Sequence, residues 1–238
     1  MIAGMTTPIL SASDLGTYQR DGYVLVRSLV PRPDAEAVVA ASPRPSSGSD
    51  WTPVIFDHAR PQADPAQHAL LAHPRVLDAV ELLLGGPARA YYGMLAVVPA
   101  GGGRGLPWHQ DNQYEHIVGH ALNAFIALCR ITPKMCNLWV APGSHRDGLR
   151  PSGAAEGRGG HREDSGAVQG ICLPTLEPGD ACIFNRYTLH RSLHNQTNED
   201  RFAYAAQYEE ADARRDDGRA SDRILARDLQ RLLAPWHV

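Results

Sequence analysis

The 238-residue sequence is nearly without lysine: Lys134 stands alone against 22 arginines. It has no apolar run near the roughly 20 residues that cross a bilayer, so no membrane-embedded segment is expected. The start, MIAGMTTPIL, lacks the basic stretch and long apolar core of a secretory signal. Four cysteines (Cys129, Cys136, Cys172, Cys182) form no CxxC pair and are expected as reduced, mostly buried thiols of a cytoplasmic protein. A net charge of −3 provides neither a basic stripe for nucleic acid nor a polyanionic field. The run GGGRG at 101–105 is followed by no GK[ST] and opens no helix, so it is not a phosphate loop. The bias from lysine to arginine is what GC-rich codons produce and points to a bacterial source.

What is present is a chain long enough for one well-buried domain over 1–238, with no internal repeat. Three parts are expected: a helical N-terminal part over about 1–90, a β core over about 91–210, and a C-terminal helix over about 220–235. Near the start, SASDLGTYQRDGYVLVRSLV places cap candidates Ser11 and Ser13 before a short helix, which Gly22 stops ahead of a strand. Residues 42–53 have loop composition. In DPAQHALLAHPRVLDAVELLLGG, Leu70, Leu71, Leu77, Val80 and Leu84 recur at helical steps, Pro74 breaks the run, and Gly85-Gly86 ends it. From Tyr91 onward, short β-rich runs alternate with Gly, Pro, Asn and Asp, the texture of a sandwich or barrel. A Gly- and charge-rich stretch at 146–170 interrupts them; a loop of that length is functional or disordered. At the end, SDRILARDLQRLLAPW puts Ile224, Leu225, Leu229, Leu232 and Leu233 on one helical side.

The chemistry concentrates in LPWHQDNQY. On a strand, His109 and Asp111 share a face roughly 7 Å apart and can converge on one ion; alone, such a pair is more often two polar residues on the wet face of a sheet. A redox metal needs a third ligand, and His190 in TLHRSLHNQTNEDRFAYAAQY is the downstream candidate. Two imidazoles and one carboxylate on one octahedral face leave three positions open, the arrangement of non-haem Fe(II) oxygenases. If TLHRSL is a strand and RFAYAAQY its returning partner, His190 and Ser192 share one face. Arg201, Ala203 and Ala205 share another, opposite Phe202, Tyr204 and Tyr208. A guanidinium inside a barrel is costly unless paired, and its fork fits a carboxylate. Arg201 therefore predicts a bound dicarboxylate spanning metal and arginine.

The order WHQD, APGSH at 141–145, then His190, Ser192, Asn195, Thr197 and Arg201 resembles the phytanoyl-CoA dioxygenase family, densest from Pro107 to Tyr208. The resemblance implies a mainly β fold: a double-stranded β-helix (a cupin-like jelly roll) flanked by helices on the N-terminal side and at the C-terminus. It implies Fe(II), 2-oxoglutarate and O2, with His109, Asp111 and His190 on iron and Arg201 on the distal carboxylate. Ser192 would add a hydrogen bond there, and Phe125 would line the cosubstrate pocket. The sequence departs from the family in PKMCNLWV, where Gly-Cys or Gly-Ala is usual. Asp111 favours oxygen chemistry over halogenation, in which related proteins carry a small residue at that place.

Other histidines compete. His194 has the parity of His190, but the step of 11 to Arg201 favours His190. His116 and His120 would pair only on a helix that Gly119 weakens, so a loop near the entrance is expected. His145 is a turn residue; His58, His68, His73, His161 and His237 are expected in solvent, and Trp139 in the core. Gln110, Asn112, Tyr114 and His194 are candidate substrate contacts, with Gln113 beside them. The segments 42–65 and 146–170 are expected to build the pocket rim, and their polarity favours a polar small molecule over a long acyl chain. The expected activity is hydroxylation of a metabolite in bacterial natural-product biosynthesis by a monomer or homodimer. Oxidative ring closure, epimerisation or desaturation by the same cofactors is the alternative; a cupin-like barrel that binds without turnover is the second.

Overall fold

A computed structural model describes residues 8–44, 52–156 and 160–234; His237 and parts of the 42–53 and 146–170 stretches lie outside them. Ser11 opens α1 (Ala12–Asp21): its side chain accepts from the Asp14 N–H while the Asp14 carboxylate accepts from the Ser11 N–H. Gly22, at φ 79°, ends the helix and turns the chain into β1 (Tyr23–Val26). α2 (Arg32–Ala41) follows, a helix not anticipated from the hydrophobic spacing. β2 (Thr52–Ile55) replaces the end of the expected loop; Pro53 is tolerated because this strand lies at a sheet edge. α3 (Pro65–His68), a tight turn over Ala69–Ala72 and α4 (Pro74–Leu84) form the expected helical stretch, interrupted at Pro74 and capped by Gly85.

The β part comprises β3 (Ala88–Val98), β4 (Ile117–Val118), β5 (Ala121–Ala127), β6 (Leu138–Val140), β7 (Ser152–Ala154), β8 (Arg162–Asp164), β9 (Ile171–Cys172), β10 (Ala181–Asn185), β11 (His190–Ser192), β12 (Arg201–Glu210) and β13 (Arg214–Arg215). α5 (Ala226–Leu233) closes the described chain, starting later than expected: Ile224 and Leu225 precede it, while Leu229 and Leu233 are buried. A six-stranded antiparallel sheet in the order β1-β10-β5-β12-β3-β2 faces a three-stranded sheet, β11-β6-β9. This is the double-stranded β-helix, with helices outside the larger sheet.

Alternation along β12 sorts the two sides of that sheet. Phe202, Tyr204 and Tyr208 pack with Leu71, Leu77, Val80 and Leu229 beneath the helices, and the Tyr208 hydroxyl donates to the Leu71 carbonyl at 2.9 Å. Arg201, Ala203, Ala205 and Gln207 point the other way, into the space between the sheets. Leu138 and Val140 of β6 cross that space to meet Ala127, Phe184 and Ala203.

Several expectations are corrected. β11 and β12 do not pair as a hairpin: β11 joins β6 in the small sheet, β12 joins β5 and β3 in the large one, and residues 193–200 cross between sheets. Asn195 stitches this crossover, its side-chain amide donating to the Pro99 and Glu199 carbonyls at 3.1 and 2.8 Å while Thr197 donates back to its oxygen at 2.7 Å. The 146–170 stretch carries structure of its own: β7 and β8 pair, and Arg150 grips Asp164 through two 2.9 Å bonds. Trp139 is half-exposed rather than core, because its β6 neighbours Leu138 and Val140 take the inward positions; it stacks on Arg191 opposite Trp108. Two of the free cysteines, Cys136 and Cys182, are buried and two are partly so. No helix among the described residues is long and apolar enough to cross a membrane.

The histidines placed in solvent are mostly not there. His58 is half-buried and contacts the Tyr91 carbonyl at 2.7 Å; His73 caps α4 and reaches Asp34 at 3.1 Å. His68 is 1% exposed, with Nδ1 2.9 Å from the Tyr204 hydroxyl, and burial pushes its pKa down to about 4. An unfolded chain takes up the His68 proton near pH 6.5, whereas the folded chain resists until about pH 4. Stability is therefore lost as pH falls through this window, by on the order of 3 kcal/mol at its lower end. In metal-free protein, the fall in urea midpoint between pH 6.5 and 4 should be shallower in His68→Phe than in the parent; parallel profiles would contradict the assignment.

Candidate active site

The chain does not hold His109 and Asp111 as a strand pair. His109 makes one isolated bridge to His190, its N–H and carbonyl exchanging 3.0 Å bonds with those of His190. Asp111 then opens a tight helical turn through Gln113. That turn brings the carboxylate back under both rings: Asp111 Oδ1 lies 3.5 Å from His109 Nε2 and 3.7 Å from His190 Nε2. The three candidate donor atoms lie within 4.8 Å of one another, and all three residues are buried.

Hydrogen bonds fix the direction of each donor. His109 Nδ1 faces the Pro107 carbonyl at 2.8 Å and His190 Nδ1 faces the Thr188 carbonyl at 3.0 Å. A carbonyl can only accept, so each Nδ1 carries the hydrogen and each Nε2 directs a lone pair inward. Burial, then the neighbouring His109, pushes the His190 pKa down to about 4, so this ring is neutral at physiological pH. For Asp111, burial favours the acid, but His190, His109 and Arg186 outweigh it and hold the carboxyl well below the usual range. Two imidazoles presenting Nε2 and one carboxylate within a few ångströms are a donor set that suits ferrous iron.

The motif at 141–145 positions His190 rather than joining it. The Ser144 hydroxyl accepts from the Leu189 N–H at 2.9 Å and donates to the Ala141 carbonyl at 2.7 Å. His145 reaches back to the Gln19 carbonyl of α1 at 3.3 Å, a turn residue as expected. At Gly22 an added Cβ would stand 2.4 Å from His145 Nδ1 and 2.7 Å from the Thr188 hydroxyl, so only glycine lets α1 close on this segment.

Beyond the three side chains lies a cavity walled by both sheets. Arg201, Ser192 and Phe125 all line it. Arg201 is 5% exposed; among the described residues its Nε has no partner, and its terminal nitrogen donates to Cys136 Sγ at 3.7 Å. Its guanidinium also lies 5.6 Å from the Phe125 ring centre. Among the described residues no carboxylate pairs with it, and a buried cation in that state calls for an anionic ligand. Ser192 Oγ accepts from the Leu106 N–H at 3.1 Å and keeps its hydroxyl hydrogen to donate. The buried guanidinium without a carboxylate partner at one end and the three convergent donors at the other fit a dicarboxylate bound to iron.

A second cavity opens from His109 and Asp111 toward solvent, lined by Tyr91, Tyr92, Tyr114, Ile55, His161 and Gln207 among others. The expected rim is thus present, through Pro53 and Ile55 from one segment and His161 from the other. Tyr114 packs edge-on against His109, with ring centres 5.6 Å apart. The other candidate substrate contacts do not reach this mouth. Gln110 is fully buried and ties the Gly148 and Tyr187 carbonyls and the Arg150 N–H. Asn112 is buried against Ile117 and Arg186. His194 is exposed on an adjoining groove beside Trp108 and Arg191 and does not compete with His190. His116 contacts Tyr187 and Asp216, while His120 contacts Tyr18, so the two do not meet at one ion. Three functional residues were not anticipated: Asn123 and Gln207, whose amides donate to Asp111 Oδ2, and Arg186 behind them. Gln207 continues the 201, 203, 205 face by one more step, a signal present in the sequence.

Comparison with known proteins agrees. The family pattern "Phytanoyl-CoA dioxygenase (PhyH)" matches residues 18–203. A Caenorhabditis elegans protein named "Probable phytanoyl-CoA dioxygenase" is 28% identical over 238 aligned residues, spanning 84% of this chain and 75% of its own. A methylphosphonate hydroxylase of Gimesia maris is 28% identical over 214 residues, spanning 81% of this chain and 78% of its own. Among solved structures, the apo form of the non-heme monooxygenase ThoJ superposes with TM-score 0.72 at 26% identity, covering 90% of this chain and 84% of its own. The epimerase SnoN, solved with Fe3+, alpha ketoglutarate and nogalamycin RO, gives 0.68 at 23% identity, covering 85% and 84%, a likeness of fold.

Changes to partners of metal ligands cost roughly 10–100-fold in affinity, so loss of a ligand should cost more. Asp111→Ala is expected to weaken binding of Fe(II) by over about 100-fold in anaerobic titration calorimetry. A change of only a few-fold would exclude Asp111 as a ligand.

Proposed function

The chain belongs to the phytanoyl-CoA dioxygenase family and is a non-haem Fe(II)- and 2-oxoglutarate-dependent oxygenase; from that premise we propose that it hydroxylates a small-molecule metabolite. The observation that carries the site assignment is the buried Arg201 guanidinium, without a carboxylate partner among the described residues, in the same cavity as the three convergent donors. When bound, ferrous iron with 2-oxoglutarate and dioxygen supplies the power to break an unactivated C–H bond, leaving succinate and carbon dioxide as co-products.

In this reading His109, Asp111 and His190 are the iron ligands. The Nδ1 hydrogen bonds hold both rings so that binding requires no reorientation. Arg201 pairs with the distal carboxylate of 2-oxoglutarate, Ser192 donates to it, and Phe125 covers it. Ala203 and Ala205 leave room between the two ends of the diacid. The substrate enters by the outer cavity, where Ile55 (54% exposed) and Tyr114 offer an apolar face and the Tyr92 hydroxyl and His161 offer polar contacts. In the 146–164 stretch, Arg150 is engaged on Asp164 and Arg146 on the Arg20 carbonyl. A ring-bearing metabolite with a few hydroxyl groups fits this mouth better than a long acyl chain. A role in bacterial natural-product tailoring is supported by the arginine-rich composition and by a shared fold with SnoN from nogalamycin biosynthesis. Hydroxylation is preferred to ring closure, epimerisation or desaturation because a 28%-identical relative is a hydroxylase.

Charge-assisted hydrogen bonds of this kind contribute about 1.5–3 kcal/mol, so Arg201→Ala should weaken 2-oxoglutarate binding by roughly 10- to 100-fold. The visible charge-transfer band formed on anaerobic addition of Fe(II) and 2-oxoglutarate reports this affinity, and Arg201→Lys should recover part of it. Unchanged 2-oxoglutarate affinity in Arg201→Ala would refute the cosubstrate assignment. Absence of succinate release in air, with the band present, would favour a binding protein over an enzyme.

A further inference from the structure

The hydrogen bonds behind Asp111 carry an inference that rests on its reading as an iron ligand. The two carboxylate oxygens are not equivalent. Oδ1 faces both imidazoles, whereas Oδ2 accepts from the amide groups of Asn123 and of Gln207, the latter at 3.0 Å. The two donors stand side by side because Gln207 of β12 is in register with Asn123 of β5. A carboxylate can give a metal one oxygen or both. Swinging Oδ2 onto the ion would break two hydrogen bonds in a buried site, where unmade bonds are expensive.

The Gln207 amide needs control of its own. Turned over, it would present its oxygen to Oδ2, acceptor against acceptor. Arg186 prevents this by donating to Gln207 Oε1, which commits Nε2 to Asp111. Arg186 is itself fixed. It is 2% exposed, its Nε donates to Asn112 Oδ1 at 2.9 Å, and it lies 4.7 Å from the Tyr91 ring centre. Its other terminal nitrogen donates to the Asp111 and Glu115 carbonyls at 3.0 and 3.2 Å. One guanidinium therefore holds both the backbone of the ligand turn and the amide that restrains the ligand side chain.

We propose that Arg186, acting through Gln207, is a positioning residue that restricts Asp111 to one metal-bound oxygen. The function of the restraint is to keep three positions free on the ion, enough for a chelating keto acid and dioxygen. A carboxylate bound through both oxygens would take one of those positions.

Co(II) is the probe, because its d–d absorption reports coordination number without turnover. The parent, Gln207→Met and Arg186→Lys are loaded with Co(II) and titrated with 2-oxoglutarate. Methionine keeps the length of Gln207 and loses the donor. Gln207→Met should still bind Co(II), but with a weaker, shifted d–d spectrum indicating an added ligand. Its 2-oxoglutarate dissociation constant should rise about 10-fold or more. Arg186→Lys, which frees the amide to turn over, should fall between it and the parent; if that variant does not fold, Gln207→Met decides alone. A parent-like spectrum or parent-like 2-oxoglutarate affinity in Gln207→Met overturns the proposal, as does loss of its Co(II) binding. A parent protein that binds no Co(II) would instead refute the ligand assignment beneath it. Gln207 also lines the outer cavity, but a residue that only touched substrate would leave the substrate-free Co(II) spectrum unchanged.

Discussion

Convergence of three donor atoms on one point depends on where two hydrogens go. Each imidazole gives its Nδ1 hydrogen to a carbonyl two residues away along its own chain, Pro107 for His109 and Thr188 for His190. That commits both Nε2 lone pairs to the interior, facing an ionised carboxylate. The Thr188 carbonyl is held in turn by neighbouring segments: the Thr188 hydroxyl donates to the Gly22 carbonyl, and Ser144 of the 141–145 motif accepts from the Leu189 N–H. The helix at the start of the chain, the turn at 141–145 and the strand bearing His190 thus act together on one ring.

The second constraint is the alternation of β12. One strand supplies the buried aromatics that seal the sheet against the helices and, on its other face, the arginine, two alanines and glutamine that shape the cavity. Placing Arg201 without a carboxylate partner in this interior is costly, and a fold tolerates that cost where a ligand offsets it. The Asn195–Thr197 turn ties the crossover to the end of β3, fixing where Arg201 enters the sheet opposite Val98.

Much of this was legible in the sequence because it depended on residue type and parity. His109, Asp111 and His190 stood out as ionisable groups in family order, and the faces of β12 followed from a period of two. The strand geometry first assigned to His109 and Asp111 was wrong because Asp111 opens a tight turn, which parity cannot foresee. The supposed hairpin between β11 and β12 was wrong because adjacency in sequence does not decide which sheet a strand joins. His68, His73 and Trp139 were misplaced because burial of an isolated amphipathic residue is settled by distant segments, as when His68 meets Tyr204. Asn123, Gln207 and Arg186 were missed for a related reason: amides have no ligand-like spacing, and cross-strand register emerges only in the folded sheet.

The most direct test is an anaerobic crystal structure of the protein soaked with ferrous iron and 2-oxoglutarate. It should show a single iron bonded to Nε2 of both histidines and to Oδ1 of Asp111 alone, with the diacid running from the metal to the Arg201 guanidinium. An iron bound elsewhere, or a diacid whose far end ignores Arg201, would contradict the account.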